Sequence, residues 1–221
     1  MRKSQDCTEK DRRFYRRAHR VFAPFFRFLF RVHVTGAEHI PASGACLVCA
    51  NHVGAPDAIA IAAVLSRQVR YLAKKELFSI PLIGWICRRL GACPLDRGGG
   101  DVGAIRKTLA LLAEGEVVSV FPQGHRCPGK NPKDTPIRSG AGLLALHAHC
   151  PVLPIAVCMK GQRYAPFRRV TLHIGAPILP DRFERCGEHG TEAYRRASDL
   201  IFGEICRLGG FLADAEKEGV V

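Results

Sequence analysis

Ala45-Cys46-Leu47-Val48-Cys49-Ala50 is an unbroken apolar run, short for a helix and best read as a buried strand. It runs into Asn51-His52-Val53-Gly54-Ala55-Pro56-Asp57. Residues 58–65, all apolar, then read as a buried helix. Pro56 suits the first turn of that helix, where its missing N–H costs nothing. His52 therefore stands where a strand ends, and Asp57 in the first turn of the next helix. The loop between them holds Gly54 and can fold back on itself. A carboxylate placed this way can hold one imidazole nitrogen and leave the other free to take a proton. An ordinary loop pair is the plainer alternative, so the rest of the chain has to supply a substrate site.

The remaining sequence repeats the pattern. Strand-like runs at 33–40, 69–73, 92–95, 117–121, 152–157 and 170–174 alternate with helix-like segments at 81–89, 101–113, 139–149 and 191–212. This spacing predicts an α/β fold: a mixed, mostly parallel central sheet flanked by helices. No repeat or linker interrupts it. A chain of 221 residues can bury one sizeable core, so residues 33–221 are expected to form a single α/β domain.

The formal charge of +13 is unevenly spread. Residues 1–32 hold ten Lys or Arg against three acids, and residues 21–32 carry five phenylalanines. That stretch is too short and too charged to span a bilayer, which takes about 20 apolar residues. A basic run abutting a Phe run fits an interfacial segment, with Phe in the acyl boundary and Arg on lipid phosphate. Residues 1–32 are thus expected to be a helical docking segment on an anionic membrane surface, holding the protein peripherally (monotopically) on the cytoplasmic face. The alternative is a helix that packs its Phe face onto the domain. Phe, rather than Tyr or Trp, dominates the basic segment, which argues against nucleic acid as the partner. The charged N-terminus lacks the apolar core of a signal peptide, so the ten cysteines are read as reduced thiols. Cys46 and Cys49 form a C-x-x-C without a second pair at zinc spacing, and no metal site is expected.

Three other motifs fail on context. Gly98-Gly99-Gly100-Asp101-Val102-Gly103 satisfies G-x-G-x-x-G, but nothing acidic follows at the ribose distance. Residues 124–131 approach a phosphate-binding loop. Asn131 replaces its Ser or Thr, however, and Pro132 and Pro136 deny the helix that must follow. The G-x-S-x-G elbow of serine hydrolases does not occur.

Polar groups gather at three strand ends: His52 with Asp57, Asp96-Arg97, and Gln123-Gly124-His125-Arg126. Ligands of open α/β sheets collect at the carboxyl ends of strands. Arg97 and Arg126 are planar, permanently charged forks suited to phosphate. With a base between them they suggest a phosphorylated substrate that carries a nucleophilic hydroxyl.

These stretches, in this order, resemble the 1-acylglycerol-3-phosphate acyltransferases and their glycerolipid relatives. The N-H-x-x-x-x-D motif is matched by Asn51, His52 and Asp57, and a strand ending in Asp-Arg by residues 91–97. F-P-E-G-T-R is matched with two changes by Phe121-Pro122-Gln123-Gly124-His125-Arg126. The V-x-P-V-like strand is matched by residues 152–157, and 73–78 and 139–142 also look like family sequence. The resemblance spans about residues 34–175.

It implies that His52, held by Asp57, deprotonates the hydroxyl of a lysophospholipid. That oxygen would attack the thioester of acyl-CoA or acyl carrier protein, with no cofactor or metal. Lys74 and backbone N–H groups around Gly124 would stabilise the oxyanion. Arg97, Arg126, Gln123 and Gly124 would form the acceptor site. The favoured acceptor is 1-acyl-glycerol-3-phosphate, with another lysolipid as the alternative because Gln123 and His125 depart from the motif. The competing class is a non-catalytic membrane- or nucleic-acid-binding α/β protein.

Overall fold

The apolar runs assemble into one seven-stranded sheet. The structure, a computed structural model, describes residues 9–95, 101–187 and 190–212. The strands are β1 (His33–Thr35), β2 (Cys46–Ala50), β3 (Val69–Lys74), β4 (Cys93–Leu95), β5 (Val117–Val120), β6 (Val152–Met159) and β7 (Val170–Ile174). They lie in the order β1-β7-β6-β2-β5-β3-β4. Every pairing is parallel except that of β6 with β7. The chain thus forms the mixed, mostly parallel sheet its sequence predicts. Central β2 bonds to β5 on one side and β6 on the other. A strand covered on both faces has no solvent side, hence its uninterrupted apolar run.

Helices cover both faces: α1 (Glu9–Leu29), α2 (Pro56–Val64), α3 (Pro81–Arg89), α4 (Asp101–Ala113), α5 (Gly140–Ala148), α6 (Asp181–Glu184) and α7 (Thr191–Leu208). Leu47 and Cys49 of β2 join Leu111, Leu144 and Ile201 on the side of α4, α5 and α7. Cys46, Val48 and Ala50 join Ala23, Phe26 and Ile61 on the side of α1 and α2. The C-x-x-C therefore sends its two thiols to opposite faces. Burial pushes Cys46 up to about 12 and raises Cys49 as well, so neither is a ready thiolate. α5 and α7 cross closely at Gly142. A Cβ there would lie 2.0 Å from the Tyr194 carbonyl oxygen, and the Gly142 N–H donates to Ser198 Oγ at 2.8 Å.

The phenylalanine run packs one face of a helix onto the domain and leaves other phenylalanines exposed. At 3.6 residues per turn α1 divides its aromatics between two faces. Tyr15, Ala23 and Phe26 are buried, while Val21, Phe22, Phe25 and Phe28 are exposed by 62–73%. The inner face belongs to the domain core. Ion pairs add to it: Arg12 Nη2 donates to Glu116 Oε1 at 2.6 Å, and Arg89 Nη1 of α3 to Asp11 Oδ1 at 3.1 Å. Among the described residues no helix is long and apolar enough to cross a membrane.

Asn51 fixes where β2 ends. Its side chain is fully buried. Nδ2 donates to the Val157 carbonyl at 2.9 Å, and Oδ1 accepts from the Val157 N–H at 2.7 Å. The amide thus imitates one more ladder residue against β6 and hands the chain to His52 in a fixed direction. Asn51→Ala would leave a buried N–H and a buried C=O unpaired, at about 1–3 kcal/mol each. For a chain of this size the thermal midpoint should fall by at least about 4 °C. A calorimetric shift of less than about 2 °C would show that the amide is dispensable.

Candidate active site

The loop after β2 wraps around one carboxylate. α2 begins at Pro56, and its first turn puts Asp57 back over the preceding residues. Asp57 Oδ2 accepts from the Val53 N–H at 2.7 Å, the Gly54 N–H at 2.8 Å and His52 Nδ1 at 2.7 Å. Its other oxygen, Oδ1, accepts from the Tyr164 hydroxyl at 2.7 Å. The residue is completely buried. Four donors offset the desolvation that an unpaired buried carboxylate would suffer. Nδ1 of His52 must carry a proton to donate to Asp57, which leaves the neutral ring's Nε2 lone pair open. Among the described residues Nε2 has no hydrogen-bond partner.

The ring and backbone of His52 are held as firmly. The ring stacks on Phe121 with centroids 3.9 Å apart and planes 10° apart. The His52 N–H donates to Gln123 Oε1 at 2.5 Å, and its carbonyl accepts from the Cys127 N–H at 2.8 Å. The loops after β2 and β5, neighbours in the sheet, thereby close around one imidazole. The site lies at the carboxyl edge of the parallel strands, as ligand sites of such sheets do.

Two expectations about the F-P-E-G-T-R-like segment need correction. Gln123, placed by sequence in the acceptor site, is 1% exposed. Its amide is used up inside the protein: Oε1 takes the His52 N–H, and Nε2 donates to Thr135 Oγ1 at 2.6 Å. Thr135 in turn donates to the Pro132 carbonyl at 2.6 Å. Gln123 therefore faces the back of the histidine. Gly124 was also expected to offer its N–H to an oxyanion, but that N–H closes a turn on the Phe121 carbonyl at 2.9 Å. The turn needs the left-handed backbone that glycine tolerates, φ 70°. The next two N–H groups, of His125 and Arg126, have no hydrogen-bond partner among the described residues.

The other expected residues are placed as follows. Arg126 is exposed and directly precedes Cys127, which is bonded to the His52 carbonyl. Lys74 ends β3, which pairs in parallel with β5, so its backbone lies at the same sheet edge. Arg97, with Asp96, lies outside the described residues, as does the Lys74 side chain. The sequence reading missed Tyr164, Thr135 and the stacking role of Phe121. Phe121 was within a recognised motif. Tyr164 follows Asp57 by 107 residues and carries no local signal.

Known proteins similar to this chain include several acyltransferases. A 1-acyl-sn-glycerol-3-phosphate acyltransferase of Bacillus subtilis is 32% identical over 150 residues, covering 66% of this chain and 73% of that protein. An uncharacterised Mycobacterium tuberculosis protein is 31% identical over 214 residues, covering 87% of this chain. A human 1-acyl-sn-glycerol-3-phosphate acyltransferase alpha is 33% identical over 144 residues. This chain spans 57% of the mycobacterial protein and 50% of the human one. The crystal structure of the 1-acyl-sn-glycerophosphate acyltransferase of Thermotoga maritima superposes with a TM-score of 0.68 at 24% identity, covering 93% of this chain and 84% of that one; it shares the fold. The Acyltransferase family model matches residues 31–158, more than half of the 221. The chain belongs to the acyltransferase family.

Proposed function

We propose that the protein transfers a fatty acyl group from a thioester, acyl-CoA or acyl carrier protein, to the free hydroxyl of a lysophospholipid. 1-Acyl-glycerol-3-phosphate is the acceptor that fits best, and phosphatidic acid the product. The observation that carries this reading is the His52–Asp57 pair with Nε2 open at the carboxyl edge of the sheet. Nε2 takes the proton of the acceptor hydroxyl as its oxygen attacks the thioester carbonyl. The tetrahedral intermediate collapses by expelling the thiolate, which recovers the proton from the imidazolium. Asp57 orients the ring and balances its transient charge.

The free N–H groups of His125 and Arg126 are candidates for the oxyanion, with Lys74 beside them by family resemblance. Arg126 and Arg97 are the proposed phosphate ligands. Two cations suit an acceptor that carries a phosphomonoester, and the Acyltransferase match together with the named relatives supports the same choice.

The N-terminal helix supplies the second half of the proposal. Residues 9–32 dock the catalytic domain, 33–221, on an anionic lipid surface. Exposed Val21, Phe22, Phe25 and Phe28 provide apolar contact. Arg17, Arg20, Arg27 and Arg31 are exposed and have no ion-pair partner among the described residues. The surface extends to α3: Phe14 meets Trp85 edge to face at 5.3 Å, and Leu82, Ile83 and Trp85 are exposed. This orientation puts the acceptor and the base at one interface.

Three measurements test these assignments. His52→Ala should reduce kcat by about 10²–10⁴ while the far-ultraviolet circular dichroism stays that of the wild type. A folded variant turning over at the wild-type rate would remove the base from the mechanism. Gln123→Glu should leave the ratio of kcat/KM between lysophosphatidic acid and an uncharged-headgroup lysolipid within about twofold of the wild type, because the residue faces away from the acceptor. A larger change in that ratio means the side chain does read the headgroup. The triple change Phe22→Ser, Phe25→Ser, Phe28→Ser spares the buried face of α1 and should release the protein from anionic vesicles. Each basic residue near such a surface contributes roughly 1 kcal/mol, so added salt should weaken binding of the wild type too. Equal co-sedimentation of the two proteins with neutral and anionic vesicles would rule out the docking surface.

A further inference from the structure

The direction in which His52 points depends on how Asp57 is turned, and one of the four donors that fix it lies beyond the stretch matched by the family model. Tyr164 sits between β6 and β7, and its hydroxyl reaches Asp57 Oδ1 at 2.7 Å. The other three donors all converge on Oδ2. A carboxylate gripped at one oxygen can still pivot about that oxygen. Holding the second oxygen fixes the plane of the group, and with it the line from Oδ2 to His52 Nδ1. We infer that Tyr164 is a positioning residue of the acyl transfer, acting through Asp57 and kept in place by the N-terminal helix; this rests on the reading of His52 as the base.

Several contacts leave the phenol ring little choice of position. It lies against Gly54, where a Cβ would stand 3.3 Å from the ring. It meets Phe30 in an edge-to-face pair at 5.5 Å between centroids, and Phe30 packs on Phe26 of α1 at 4.7 Å. The segment itself is tied to the end of α1 at two points. The Phe167 N–H donates to the Leu29 carbonyl at 2.7 Å, and the Val170 N–H to the Phe30 carbonyl at 3.0 Å. A third tie, from the Gly129 N–H to the Gln162 carbonyl at 2.8 Å, joins it to the loop after β5. Burial, and then the charge of Asp57, hold the Tyr164 hydroxyl above the ordinary phenol range. It therefore stays protonated and can only serve Asp57 as a donor.

The same segment reaches the outer surface. Phe167 is exposed and meets exposed Phe28 edge to face at 6.5 Å. The backbone is forced there, since Phe167 adopts φ 60°, a conformation that a bulky residue keeps only when its surroundings impose it. A route of direct contacts thus runs from buried Phe26 of α1 through Phe30 and Tyr164 to Asp57 and His52, while Phe28 meets the same segment at Phe167.

The test uses the full chain and the Tyr164→Phe variant, which keeps the ring and loses only the hydroxyl. With lysophosphatidic acid and an acyl thioester, kcat should fall more than about fivefold, with both KM values within about twofold of the wild type. In an Asp57→Asn background the same change should alter kcat by less than about twofold, because the partner it orients is gone. Phe30→Ala should lower kcat at least about twofold with Tyr164 present and by less than that in Tyr164→Phe. A smaller loss in Tyr164→Phe, a loss residing in KM, or an undiminished loss in the Asp57→Asn background would overturn the role of Tyr164. Equal Phe30→Ala losses in both backgrounds would overturn the link to the helix.

If the wild type transfers no acyl group to any lysolipid, it is the proposed reaction that fails. Tyr164 is then decided without substrate, by the His52 Nδ1–H proton resonance. The resonance is expected to shift in Tyr164→Phe, and an unchanged resonance overturns the assignment.

Discussion

Everything about the candidate site is organised around one buried negative charge. Asp57 has no exposed surface, and a carboxylate in that position is costly unless its oxygens are met by donors. The fold meets them with two backbone N–H groups, an imidazole and a phenol. Satisfying the charge forces the loop after β2 to curl, sets the imidazole tautomer and draws in a residue from a distant segment. The same four bonds that make the charge tolerable make the dyad rigid before any substrate arrives. Rigidity of this kind lowers the reorganisation that the reaction must otherwise supply.

The replacement of the family Glu by Gln123 follows from its partners. The His52 N–H needs an acceptor. Thr135 spends its own proton on the Pro132 carbonyl, so its oxygen is left to accept and needs a donor. An amide supplies one of each at the two ends of a planar group, as Oε1 and Nε2 do here. A carboxylate would leave Thr135 to choose between two acceptors with one proton. Seen this way, Gln123 belongs to the brace behind the histidine, and the change from the family pattern is matched by its surroundings.

The strands and helices were legible in the sequence because burial on both sheet faces writes continuous apolar runs, and because Pro56 and Pro81 mark helix starts. His52 and Asp57 were legible because their contact is local, across one turn. Gln123 was misread because the direction of a side chain leaving a strand depends on what lies across from it, here Thr135 and the His52 backbone. Gly124 was misread because its N–H was counted as free before the turn that consumes it was known. Tyr164 was invisible: a lone Tyr with no periodicity around it cannot announce a partner more than a hundred positions away. The division of the five phenylalanines of residues 21–32 between two faces was within reach. Helical periodicity alone sets exposed Phe25 and Phe28 apart from buried Phe26.

The one antiparallel pairing explains how the N-terminal helix comes to touch the dyad at all. β2, β5 and β6 run in the same direction, so the segments that follow them gather at one edge. β7 pairs antiparallel with β6 and therefore starts at that same edge. β1 pairs parallel with β7, His33 beside Thr171, so β1 starts there too, and the last turn of α1 must arrive there just before it. Had β7 followed β6 in the parallel sense, its crossover would have carried the chain to the opposite edge, and both Tyr164 and the end of α1 would have been taken away from Asp57. The reversal lets one short segment meet the carboxylate with Tyr164, the helix backbone with Phe167 and Val170, and the exterior with the Phe167 ring. The inner face of α1 is thereby part of the core that supports the site, while its outer face stays exposed.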